Sequence, residues 1–223
     1  DGNTLFVYKG TLGGNIYQAQ RKDGSWTSPQ KMNKNINSSN QETSASVTAD
    51  GQTLYFVSNR QGGVGGKDIY MSTKDDKGEW GVATLIPGKI NTIYNEENAF
   101  ISPDGKTLYF SSEGHNSMGG YDIFKSTLVD GNWTTPVNIG YPINTARDDV
   151  FFSISENGHR GYYASANFQG YGDKDIYEIS FIDVIVEDGG EVLAELKKEN
   201  ITEIIGKVLD KETKLPINAK ITV

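Results

Sequence analysis

The chain has 223 residues, a formal net charge of −8, 11% aromatic residues, 26 Gly and no Cys. An acidic chain is repelled by a phosphate backbone, so nucleic acid is a poor partner. The lack of Cys removes disulfides, thiolate metal ligands and a Cys nucleophile, and no apolar run approaches the roughly 20 residues of a membrane-spanning helix.

Tyr and Phe favour strands, and abundant Gly supplies sharp turns between short ones, which predicts an all-β fold. In chain order, "DGNTLFVYKG" (1–10) reads as a turn followed by a strand, "GGNIYQA" (13–19) as a Gly-rich approach to a second strand, and "GSW" (24–26) as another turn. The same phrases return as "ADGQTLYFVS" (49–58) and "GGKDIYMS" (65–72). The third set is the fullest. "NAFIS" is a short apolar strand and "PDG" a tight turn, followed by the strand "TLYFSS", the loop "EGHNSMGG", the strand "YDIFKST", the turn "LVDGN" and a weaker fourth strand, "WTTPVNI". The last set, "ENGHRGYYAS" and "GDKDIYEI", lacks the Gly-x-Trp phrase, and "IDVIVED" (182–188) is the candidate for its fourth strand.

These phrases share a register. Gly51, Gly105 and Gly158 recur 54 and 53 residues apart, and Gly2 matches them. Asp68, Asp122 and Asp175 each follow their Gly by 17, while Trp26, Trp80 and Trp133 each precede the next by 25. The pairs Ile36-Asn37, Ile90-Asn91 and Ile143-Asn144, and the acids Glu42, Glu96 and Asp149, keep their offsets too. A four-stranded unit of this length, repeated, points to propeller blades: radial packing covers both faces of each sheet and leaves short edges.

"SPDGKTLYFSS", "GGYDIF" and "GNW" resemble the WD-repeat-like β-propeller repeats of the TolB type over residues 1–182. The tail "IIGKVLDKETKLPINAKITV" (204–223) looks like the first hairpin of a carboxypeptidase-regulatory-like β-sandwich. This order of modules is similar to that of Bacteroidetes envelope proteins that continue into an OmpA-like peptidoglycan-binding domain, some of them components of type IX secretion. The expected organisation is therefore blades over 1–186 with the first incomplete, a linker over 187–202, and the start of a sandwich over 203–223. About four blades of a partial ring are visible, with a longer chain expected to supply the rest and a closed four-bladed ring as the alternative. The resemblance implies a non-enzymatic scaffold in the periplasm or at the outer membrane. Its partners would be envelope proteins, with peptidoglycan reached through a domain not present here, and it has no cofactor and no membrane span of its own.

Candidate sites follow from the repeats. The Asp series can pin Gly-rich loops by accepting their N–H groups or, gathered near an axis, bind a cation; Asn15 in the first unit speaks against the second. The Trp series can stack on sugars or fill space between blades. "NEEN" and "RDDV" offer paired acids, but adjacent strand residues point to opposite faces, so Glu42, Glu96 and Asp149 read as repeat residues that hold the turn into each first strand. No metal site and no catalytic set is expected; His115 and His159 lack the partners of a hydrolase triad. The loops between second and third strands fall at the same end as the links between units, opposite the tight turns. Variable loops on a fixed frame are where binding surfaces lie, and Arg60, Tyr94, His115, Asn116 and Arg147 are the candidate contacts. A glycan- or peptide-processing propeller using Glu96 or Asp149, and a propeller accessory to a hydrolase domain, are the alternatives.

Overall fold

The computed structural model describes residues 2–10, 13–166 and 172–181. They form strands only, in four antiparallel sheets arranged as propeller blades. Sheet I holds β1 (Thr4–Lys9), β2 (Asn15–Lys22), β3 (Ser25–Trp26) and β4 (Gln30–Lys31). Sheet II is β5 (Glu42–Val47), β6 (Thr53–Ser58), β7 (Asp68–Thr73) and β8 (Thr84–Leu85), hydrogen-bonded in chain order. Sheet III repeats that order with β9 (Glu96–Ile101), β10 (Thr107–Ser112) and β11 (Asp122–Val129), and β12 (Asn132–Trp133) and β13 (Val137–Asn138) both pair with β11. Sheet IV is β14 (Asp149–Ile154), β15 (Arg160–Ser165) and β16 (Asp175–Ser180). Residues 1–180 make one compact unit; the expected fourth strand at 182–188, the linker and the sandwich-like tail lie outside the described residues.

The tight turns form as their residues dictate. Gly51, Gly105 and Gly158 take φ of 71°, 68° and 72°, open to Gly without strain. The residue before each caps the turn: Asp50 and Asp104 accept from the N–H two residues on and from the Thr48 and Ser102 hydroxyls. These bonds hold both carboxyls below the usual carboxylate range.

Alternation along each strand creates two apolar faces, and neighbouring sheets press unlike faces together. Sheet I gives Ile16, Met32 and Ile36 to a core shared with Leu54, Phe56, Tyr70 and Trp80 of sheet II. The other face of sheet II, with Tyr55, Val57 and Ile69, meets Leu108, Phe110, Phe124 and Trp133 of sheet III. Ile123 and Ile143 then meet Phe152, with Ile154, Tyr163 and Ile179 packed around. Trp133 stands edge-on to Tyr55 with ring centroids 6.0 Å apart, so two of the repeated Trp fill the space between blades. Phe56, Phe110 and Phe124 are fully buried; each contributes roughly 1.5–3 kcal/mol by leaving water, and Phe110→Ala would cost about 3–5 kcal/mol.

Each first strand carries an irregularity that the repeat pattern does not announce. The register of β5, β9 and β14 slips between Glu42 and Ala45, Tyr109 and Ser111 on the partner of β9, and Val150 and Ser153. Asn98 and Phe151 sit in these bulges with φ of 49° and 60°.

Candidate functional site

The loop-rich end is assembled by backbone from successive blades. Gly66 N–H donates to Tyr94 O at 3.2 Å and Glu96 N–H to Lys67 O at 2.9 Å; Gly120 and Asp149 repeat this with Arg147 O and Tyr121 O. The doubled Gly of the repeat follows from that crossing: a Cβ on Gly65 would stand 2.0 Å from Tyr94 O, and one on Gly119 2.4 Å from Arg147 O. Larger side chains would force the loop away from the next blade.

The repeated acids serve this assembly. Asp68 accepts from Val64 N–H at 3.0 Å and from Gly65 N–H, and Asp122 accepts from Met118 N–H and from Asn138 at 3.2 Å. Burial raises both carboxyls, against the pull of those bonds. Asp175 is only half-buried at the start of β16. At each entry to a first strand, a Ser or Thr four residues upstream donates its N–H and hydroxyl to the acid: Ser38 to Glu42, Thr92 to Glu96, Thr145 to Asp149. Ser58 and Ser112 add a further hydroxyl to Glu42 and Glu96.

The meaning of the Ile-Asn pair emerges here. The Asn37, Asn91 and Asn144 amides each bind both backbone groups of one residue, Ile16, Ile69 and Ile123, at 2.8–3.0 Å. Each amide acts as a one-residue strand stitching the link to the third strand. The repeat marks these Asn in sequence, but their role needs the chain folded back.

Arg60, expected to face a partner, is turned inward, while His115 is exposed on the loop with one side of its ring on the blade. The Arg60 guanidinium reaches Glu42 at 3.2 Å and Ile36 O, and lies about 5 Å over the Phe56 and Tyr70 rings. His115 does the corresponding work one blade on: Nε2 is 3.0 Å from Ile90 O, and its ring packs against Phe110 and Phe124. Burial holds its pKa below the usual imidazole value. Glu96 has no Lys or Arg paired with it among the described residues, and burial pushes its carboxyl up to about 7.

What faces outward is different. Tyr94 is 55% and Ile93 74% exposed, with Val64 and Met118 about half exposed on the flanking loops. Asn116 is exposed, its carbonyl accepting from Asn138, and Arg147 is half-buried at the position corresponding to Tyr94. Sequence reasoning named Tyr94, Asn116 and Arg147 but passed over Val64, Ile93 and Met118. The signal for two of them was present: Val64 and Met118 each stand four residues before a repeated Asp, apolar inside Gly-rich loops.

Among the described residues no three His, Asp or Glu gather to hold a metal. Two clefts lie away from the repeated acids. One, at the tight-turn end, is lined by Phe6, Gln18, Val47, Lys74 and Trp80; the other is lined by residues including Gln30, Lys31 and Glu79. No helix among the described residues is long and apolar enough to cross a membrane.

No protein-family profile matches the chain, and no curated protein matches it. Solved structures do. TolB from Acinetobacter baumannii is 14% identical at a TM-score of 0.48, covering 81% of this chain and 39% of TolB. The periplasmic gluconolactonase of Pseudomonas aeruginosa is 13% identical at 0.42, covering 84% of this chain and 56% of that one. An α-L-arabinofuranosidase from Lactobacillus brevis is 15% identical at 0.44, covering 78% and 65%. The chain thus spans between about two fifths and two thirds of the length of these proteins.

Proposed function

We propose that this chain is a non-enzymatic protein-binding scaffold of the Gram-negative cell envelope, in the periplasm or associated with the outer membrane. The observation that carries the reading is the division of labour at the loop-rich end. The repeated polar groups are bonded inward, while Val64, Ile93, Tyr94 and Met118 stand out of the loops. Apolar and aromatic side chains on a rigid rim are the usual anchors of protein recognition. The TolB-type phrases and the sandwich-like tail support the envelope address. Attachment to peptidoglycan through an OmpA-like domain, and service in type IX secretion, are the finer part of the proposal and rest on the resemblance of that tail.

The test is a photo-crosslinking residue placed at Ile93 and, in a second protein, at Gln52 in a tight turn, each exposed to envelope extract. Discrete products from position 93 and none from 52 support the reading. Equal products from both, or products only with cytosolic extract, refute it.

One observation favours a second reading, a glycan- or peptide-processing propeller. A carboxyl near 7 is what a general acid needs. Glu96 is nevertheless fully buried, with its oxygens held by Thr92 and Ser112. Turnover of a glycan or peptide panel that disappears in Glu96→Gln would establish this second reading.

A further inference from the structure

The junction of sheets I and II departs from the next one at two positions. Met71 stands three residues after Asp68 and Leu128 six after Asp122, and both pack against the core that sheets II and III share. The same offsets from Asn15 and Asp68 carry Gln18 and Lys74, which are polar and belong to no apolar core. Two polar side chains do not close a junction as two apolar ones do, because burying them without partners is costly. A cleft of about 660 Å³ stays open there, between β2 and β4 of sheet I and the hairpin that follows β7. That volume is in the range of ligand sites. The cleft lies inside a junction between two sheets and is not part of an outer face.

Its chemistry is unlike that of the rest of this acidic chain. Lys22, Lys31 and Lys74 line it against one acid, Glu79, and none of the three forms an ion pair among the described residues. The Lys74 ammonium lies 4.8 Å over the Trp80 ring. The Gln20 amide is tied to the Thr4 hydroxyl and that of Gln30 to Ser28 O, while no hydrogen bond among the described residues engages the half-buried Gln18 amide. The apolar lining, Met32 and Trp80, is itself buried, which leaves no exposed anchor for a peptide. Side-chain amides and hydroxyls both donate and accept, as the hydroxyls of a sugar require.

We propose that this cleft binds an acidic oligosaccharide, its carboxylates held by Lys22, Lys31 and Lys74 and its hydroxyls by the Gln amides. None of the exposed rim residues lines the cleft, so this site and the proposed partner binding fail independently.

Calorimetric titration of the folded chain with trigalacturonate at low ionic strength tests it. Saturable binding is expected, weakening as salt is added. Lys31→Gln and Lys74→Gln are each expected to weaken it at least about tenfold. Gln18→Met restores the residue type of the next junction. It is expected to weaken binding while the urea midpoint holds or rises, which separates loss of the site from loss of the fold. The Trp80 indole N–H resonance should shift with the sugar, and that of Trp133, at the next junction, should not. The methyl ester of the same sugar, a hexaglutamate peptide and inorganic phosphate should each bind at least about tenfold more weakly. Absence of trigalacturonate binding, equal binding of the ester, the peptide or phosphate, or an affinity indifferent to the three substitutions would overturn the proposal.

Discussion

The junctions of sheets I and II and of sheets II and III solve one problem in two ways. Each buries a Glu at the entry to a first strand, Glu42 and Glu96, held by the same upstream hydroxyl residue and the same serine from the second strand. Against Glu42 lies Arg60, a cation stacked on two rings; at the second junction the exposed His115 meets Ile90 O and the same kind of aromatic floor. The first acid is matched by a guanidinium, and the second is driven by burial toward holding a proton. The difference teaches that the repeat specifies the acid and its hydroxyl bonds, while the loop selects what fills the space above. A raised carboxyl here reports its burial, and is weak grounds for assigning chemistry.

The sharpest way to break the comparison is to remove each cover. Arg60→Ala strands a buried charge and should cost about 3–5 kcal/mol in urea unfolding; adding Glu42→Gln should recover much of it. His115→Ala, losing one hydrogen bond and ring packing but no ion pair, should cost about 1–2 kcal/mol. Equal losses would mean that the two covers are not doing different work.

The next effect is the pH dependence. Glu96 has a folded pKa raised to about 7 from 4.5, so the native state binds a proton more tightly than the unfolded chain. Its contribution is complete below about 4.5 and is lost as pH rises through about 7, by roughly 3 kcal/mol. Asp68 and Asp122, also raised by burial, act in the same direction at lower pH, and His115, lowered, opposes below its unfolded value. Chemical denaturation at several pH values should show a decline across this window that Glu96→Gln flattens. A slope unchanged by that substitution would remove Glu96 as its source.

The stitching amides supply the control. Asn37 and Asn91 make the same two bonds in the two junctions, and Asn37 also donates to Met32 O, so Asn91→Ala should cost about 2 kcal/mol and Asn37→Ala about 1 kcal/mol more. A disparity well beyond that one bond would show that the junctions differ in more than their cover. Smallest in stability is Tyr94→Ala, expected within about 0.5 kcal/mol of the parent because the side chain stands clear of the core.

Much of this frame was legible in the sequence because it is written in equal offsets. The Gly turns, the pinning Asp, the interblade Trp and the acids that open each first strand all declare themselves by register, since each does the same job in at least two blades. Two things escaped. Arg60 follows its serine by two residues and His115 by three, so alignment sets Gly114 opposite Arg60 and hides their equivalence; His115 reaches the space through a φ of 55°. Exposure escaped as well. Trp26 and Ile176 carry the repeat's letters, but burial is conferred by the neighbouring sheet, which is not a property of their own unit. The rim was the least legible, because its residues vary between blades and keep no common offset.

The frame's buried acids hold the loops, and recognition is proposed to belong to the exposed rim. The most direct measurement compares crosslinker-free capture from envelope extract by two folded variants, Glu96→Gln and the double variant Ile93→Ser with Tyr94→Ala. The account predicts that Glu96→Gln retains the partner captured by the parent chain and that the rim variant loses it. Loss in Glu96→Gln with retention by the rim variant would contradict it.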